Sequence, residues 1–171
     1  FIASSAWGQK KSDIEKGLEK NGLQNVAEEI PGIEVYIVYA TPYNFMGRVL
    51  YEDLDEAYLV PEAMEKLRKA NELLRKKRMD LHLVVYDAAR PRSIQEQMWK
   101  VVENTDLEDF VANPNKSGGG PHNYGVAVDV ALVDCTGHLI PMGSEYDYFG
   151  DRSRADLEIE LFEKGENYYE S

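Results

Sequence analysis

The run GGGPHNYGVAVDVALVD, residues 118–134, constrains the fold more than any other stretch, because it carries a carboxylate into an apolar strand. Alternation over 126–133 predicts one face made of Val126, Val128, Val130 and Leu132, which is a core face. The other is made of Ala127, Asp129, Ala131 and Val133. An ionised carboxylate on such a strand is costly to bury without a partner. Two alanines flank Asp129 on its own face and leave room beside it, which suggests a cavity holding a cation. His122 precedes the strand, and Gly125 between them permits backbone angles that curl the loop back toward it. One imidazole and one carboxylate suit Zn²⁺. On residue chemistry alone, a buried Asp–His hydrogen-bonded pair satisfies Asp129 equally well.

The rest of the chain supplies a scaffold of short elements. IEVYIVY (33–39) alternates as a strand with Ile33, Val35, Ile37 and Tyr39 on one buried face. Pro61 opens a helix at its first-turn position, with Ala63, Met64, Leu67, Ala70, Leu73 and Leu74 as the buried stripe. LHLVVYDAARPRSIQEQMWKVV (81–102) reads as strand, turn, helix. Ser93 and Glu96 form a capping-box pattern, so the helix is expected to begin at Ser93, with Arg90 and Pro91 in the tight connection. Residues 113–121 read as a loop, and the terminal stretch 153–171 as helical and then polar.

A formal net charge of −12 argues against a nucleic-acid phosphate binder and gives no support for docking on anionic lipid. No apolar run approaches the length of a membrane span. Cys135 is the single cysteine, which excludes an internal disulfide framework and a cysteine-rich zinc site; beside Thr136 and Gly137 it reads as a small residue near a turn rather than a nucleophile. The chain begins FIASSAWGQKK, with Ala6 and Gly8 spaced like the small residues of a signal-peptide cleavage site. Residues 1–25 are therefore expected to be a leader, the end of a signal peptide plus a polar segment. Export, to the periplasm, follows from that expectation; a cytoplasmic location follows if the segment is no signal remnant. Residues 26–171 are expected to form one domain.

PHNYGVAVDVALVD followed by GHLIPMGSEYDYFG resembles the zinc-site region of the D-alanyl-D-alanine dipeptidases, metallopeptidases related to enzymes of vancomycin-resistance clusters. His122, Gly125, Ala127 and Asp129 match the family pattern Ser-x-His-x-x-Gly-x-Ala-x-Asp. YATPYNFMGRVLY (39–51) and YDAARPRSIQEQMW (86–99) resemble two further blocks in the same order. The resemblance implies an α+β fold with helices packed on a small, mainly antiparallel sheet, and one zinc ion with His122 and Asp129 as two of its three protein ligands. It implies Arg90 as stabiliser of the oxyanion, and Tyr39 and Asp147 as walls of a pocket for D-Ala-D-Ala, with Asp147 receiving the dipeptide's ammonium.

Two departures accompany it. The family serine two residues before the first ligand is Gly120 here, and the closing Glu-x-x-His, which supplies general base and third ligand, is absent. His82 and His138 match no part of that motif and read as structural or surface residues. The chain is accordingly expected to be a C-terminally truncated dipeptidase or a degenerate relative, and to hydrolyse D-Ala-D-Ala poorly or not at all. A D,D-carboxypeptidase acting on peptidoglycan stems and a non-catalytic binder of dipeptide or cell-wall fragments are the rival readings.

Overall fold

Seven residues, Leu81–Asp87, form the central strand of the computed structural model, which describes residues 10–116 and 118–153. In chain order the elements are α1 (Asp13–Lys20), β1 (Gln24–Asn25), α2 (Val26–Glu29), β2 (Glu34–Val35), β3 (Tyr58–Leu59), α3 (Pro61–Lys77), β4 (Leu81–Asp87), α4 (Arg92–Val102) and β5 (Asp129–Asp134). Strand β4 pairs parallel with β2 and antiparallel with β5; β1 and β3 make a separate antiparallel pair. The fold is α+β with helices against a small, mainly antiparallel sheet.

Helix α1 begins at a reciprocal cap, the Ser12 hydroxyl accepting from the Glu15 N–H while the Glu15 carboxylate accepts from the Ser12 N–H. The segment before residue 26, read from the sequence as a leader, thus contributes α1 and β1; Ala6 and Gly8 lie outside the described residues. The terminal helical stretch expected after residue 153 also lies outside them. Among the described residues, no helix is long and apolar enough to cross a membrane.

Pro61 opens α3 as the sequence predicts, and Met64 and Leu67 are buried. The expected stripe is narrower, however: Ala70 and Leu73 are exposed and Asn71 takes the buried place between them. Helix α4 begins at Arg92, one residue before the expected start. Pro91 is its cap residue, and the N–H groups of Ile94 and Gln95 close on the Pro91 carbonyl, so the Ser93 side chain has no capping bond to make. Ile94, Met98, Trp99 and Val102 then face the core from successive turns.

The expected strand over 33–39 pairs only at Glu34–Val35 and turns into a 3-10 turn at Val38–Ala40. Ile33, Ile37 and Tyr39 are buried as the alternation requires, but Val38 is buried as well. In the strand of residues 126–133, pairing begins only at Asp129. Val126 is 53% exposed, not core, whereas Val128, Val130 and Leu132 pack against the core from one face.

Candidate metal centre

The register between β4 and β5 slips between Val85 and Asp87, so that Val85 faces Val130 while Asp87 faces Asp129. A bulge of this kind re-aims side chains at a strand end. Here it sets two aspartates directly opposite each other, an arrangement that repels unless cations stand between them. Arg90 and His122 occupy that position.

Asp87 is fully buried. One of its oxygens, Oδ2, accepts from Arg90 Nε at 2.9 Å and Nη2 at 2.6 Å, and the other accepts from the Tyr51 hydroxyl at 2.9 Å. Burial pushes the Asp87 carboxyl up against the opposing pull of the Arg90 charge. Arg90 Nη1 donates to Gln95 Oε1 at 2.9 Å, and Gln95, itself buried on α4, donates to the Ala112 carbonyl. The guanidinium lies 5.1 Å above the Tyr39 ring, a cation–π contact. Arg90 is therefore a locked residue and not a free strand-end side chain. Of its five N–H donors, three are engaged in these bonds, and Nη2 lies 3.8 Å from Asp129 Oδ2.

His122 stands in a 3-10 turn, Pro121–Tyr124, that ends at Gly125 in the left-handed region, φ 65°. A β-carbon at 125 would also press on the end of the Leu23 side chain, at 2.7 Å from Cδ2, but it is the left-handed backbone that favours glycine in this bend. The turn is clasped to the segment before α4. The Arg90 N–H donates to the His122 carbonyl, Asn123 Nδ2 donates to the Arg90 carbonyl, and His122 Nδ1 lies 2.7 Å from the Ala88 carbonyl. A carbonyl only accepts, so Nδ1 carries the proton and Nε2 is the free ring nitrogen. Nε2 faces Asp129 Oδ1 at 3.4 Å. A bare lone pair aimed at a carboxylate is repulsive; Nε2 must carry a proton or a metal ion.

Burial opposes ionisation of both partners, yet each favours the other's charge. His122 is held above its usual range by the hydrogen bond and charge of Asp129, and Asp129 is held below its own by His122 and then Arg90. Asp87, His122 and Asp129 bring one ligand atom each within 4.8 Å of one another. Asp87 Oδ2 is already committed to Arg90, so the two uncommitted donors are His122 Nε2 and Asp129 Oδ1, a nitrogen and a hard oxygen that fit zinc.

A cavity of about 230 Å³ opens onto this group and is bounded by Tyr39, Phe45, Arg90, His122, Asp147 and Phe149. The Asp147 backbone is in the left-handed region at φ 57°. Its carboxylate is fixed by the Tyr39 hydroxyl at 2.8 Å and the Phe45 N–H at 3.1 Å. Tyr39 and Asp147 thus sit together in the wall, and Asp147 is half-buried rather than an exposed turn residue. His82 pairs with Glu34 across the sheet and His138 is exposed beside Thr136; both are remote from the centre. Cys135 is exposed in the turn after β5.

The sequence reading missed Asp87, Tyr51, Gln95, Asn123 and Tyr146. Asp87 alone left a signal: a second carboxylate ending an apolar strand, three residues before an arginine.

A family profile described as D-ala-D-ala dipeptidase matches residues 19–160. The chain is 29% identical over 133 residues to the D-alanyl-D-alanine dipeptidase of Escherichia coli (strain K12), covering 78% of this chain and 65% of that protein. It is 27% identical over 148 residues to the D-alanyl-D-alanine dipeptidase of Enterococcus faecium, covering 77% of this chain and 72% of that one. The chain spans just under two thirds of the first relative's length.

Proposed function

This chain belongs to the D-Ala-D-Ala dipeptidase family, and from that premise we propose that it acts on the D-alanyl-D-alanine dipeptide in cell-wall metabolism, by zinc-dependent hydrolysis. His122 and Asp129 hold the zinc ion in this proposal. When bound, the ion supplies polarisation of the scissile carbonyl and activation of a water. The chain's own residues do the rest. Arg90, locked by Asp87 and Gln95, keeps N–H donors free for the oxygen that gains charge, at no cost of reorganisation. Asp147 retains lone pairs for the dipeptide's ammonium, and Tyr39 fixes its angle. The observation that carries the proposal is His122 Nε2 opposite Asp129 Oδ1 at 3.4 Å with the Arg90 guanidinium alongside.

One observation favours a second reading, a binder of the dipeptide that does not turn it over. Among the described residues, the carboxylates bounding the centre are Asp87, Asp129 and Asp147, and each is engaged by a donor in the protein. Catalytic zinc sites also use three protein ligands, whereas the described residues offer two uncommitted ones. On this second reading the protein holds zinc weakly and releases D-alanine slowly or not at all.

Metal analysis, D-alanine release and calorimetric titration with the dipeptide on one preparation decide between the two. In a version that turns over, Arg90→Ala is expected to lower kcat by about 10²–10³ while retaining zinc; near-wild-type turnover removes Arg90 from the mechanism. Dipeptide binding without release favours the binder, and neither binding nor release removes both. Export to the periplasm is part of the proposal, supported by Ala6 and Gly8, and cell fractionation checks it.

A further inference from the structure

Asp129 has two chemically equivalent oxygens, and the structure treats them differently. Oδ1 faces His122 Nε2 at 3.4 Å. Oδ2 accepts from the Tyr146 hydroxyl at 3.3 Å and has Arg90 Nη2 at 3.8 Å. The position of that hydroxyl is not set by Asp129 alone. The Tyr146 ring is flanked by Tyr86, edge-on at 5.3 Å between centroids, and by Tyr39, tilted at 5.9 Å. Packing against two tyrosines therefore points the hydroxyl, and the carboxylate turns to meet it.

We propose that Tyr146 is a positioning residue for the metal centre, holding Asp129 so that it presents Oδ1 alone to the ion shared with His122. The inference rests on the metal reading given above. A carboxylate left to itself exchanges between one-oxygen and two-oxygen binding. A donor on Oδ2 localises negative charge there, lowers its basicity toward a cation and fixes the plane of the group. Outer hydrogen bonds of this kind orient ligands and tune the affinity they give. Asp147, on the same segment, accepts from Tyr39 whereas Asp129 accepts from Tyr146, so the two neighbouring carboxylates are held by separate hydroxyls. Tyr146 serves the ion and Tyr39 serves the substrate end.

The test uses Tyr146→Phe, which keeps the ring between Tyr39 and Tyr86 and removes only the hydroxyl. The probe is Co²⁺ alone, titrated into the purified protein and followed by its visible absorption. Affinity is expected to fall about 10- to 100-fold. The d–d bands of the bound ion are expected to weaken and shift, because Asp129 then contributes both oxygens and raises the coordination number. Tyr86→Phe removes a hydroxyl from the same aromatic cluster while keeping the ring against Tyr146, and is expected to leave the cobalt spectrum unchanged. An unaltered spectrum in Tyr146→Phe, whatever its affinity, overturns the proposal. So does the same spectral change in both variants, which would report loosened packing. A wild-type protein that binds no Co²⁺ overturns the metal reading and this proposal with it, an outcome distinct from a wild type that binds and a variant that matches it.

Discussion

A β-carbon built on Gly120 lies 2.8 Å from the methyl of Ala112, closer than two such carbons approach in real proteins, and the backbone there is in an ordinary region. Glycine at this position is thus a matter of space. The place that a serine β-carbon would take is crowded by the alanine methyl. Gly120→Ser alone is expected to cost about 1–3 kcal/mol by overpacking, and Ala112→Gly in the same chain is expected to restore most of it. Urea denaturation of the two variants checks this; a single variant as stable as wild type would mean the wall yields. The residues of the centre that could be read from the sequence were those in local patterns: His122 before its glycine, Asp129 between alanines, Arg90 before a proline. Asp87, Gln95 and Tyr146 could not be. Their roles come from a register slip between strands and from packing across the chain, and neither is written in spacing. The question asked of Asp129, what a carboxylate on an apolar strand is paired with, has the same answer for both aspartates: each meets the Arg90 guanidinium, and His122 lies between them.

At the level of elements, β5 ends in a turn organised by one side chain. The Asp134 carboxylate accepts from the Thr136 hydroxyl and from the N–H groups of Thr136 and His138. The Thr136 hydroxyl first, and the His138 N–H after it, lower the Asp134 carboxyl from its ordinary 3.8 to about 2. A folded value below the unfolded one means that the turn's contribution is complete above pH 4 and is lost as pH falls through 2. The His138 amide shift, followed by NMR on acidification, is expected to move with a midpoint near 2; a midpoint near 4 would contradict the geometry. Helix α3 and strand β4 were legible because their apolar residues recur over several turns or positions. The segment 33–39 was not, because alternation reports burial and not pairing. Ile33, Ile37 and Tyr39 are buried while the backbone leaves the ladder after two residues. Val126 fails for a related reason: the turn that aims His122 carries the chain past the sheet before pairing starts at Asp129.

Over the whole molecule, a formal net charge of −12 surrounds the centre proposed to hold a divalent cation. Such a field raises the local concentration of cations and speeds their arrival. The association rate of Zn²⁺ with this protein is expected to fall as salt rises, because the Debye length shrinks from about 30 Å at 0.01 M to about 8 Å at 0.15 M. Stopped-flow mixing with a chromophoric zinc competitor measures it, and a rate independent of salt would show that only the immediate ligands matter. The clasp between the Arg90 and His122 segments joins parts of the chain separated by 33 and 34 residues. No secondary structure protects the Arg90 amide; it is shielded by the His122 carbonyl alone. In deuterated solvent that hydrogen can be lost only when the clasp opens, and the same opening frees the imidazole from Ala88. The exchange of a single backbone proton therefore counts how often this centre comes apart while the core around it stays closed.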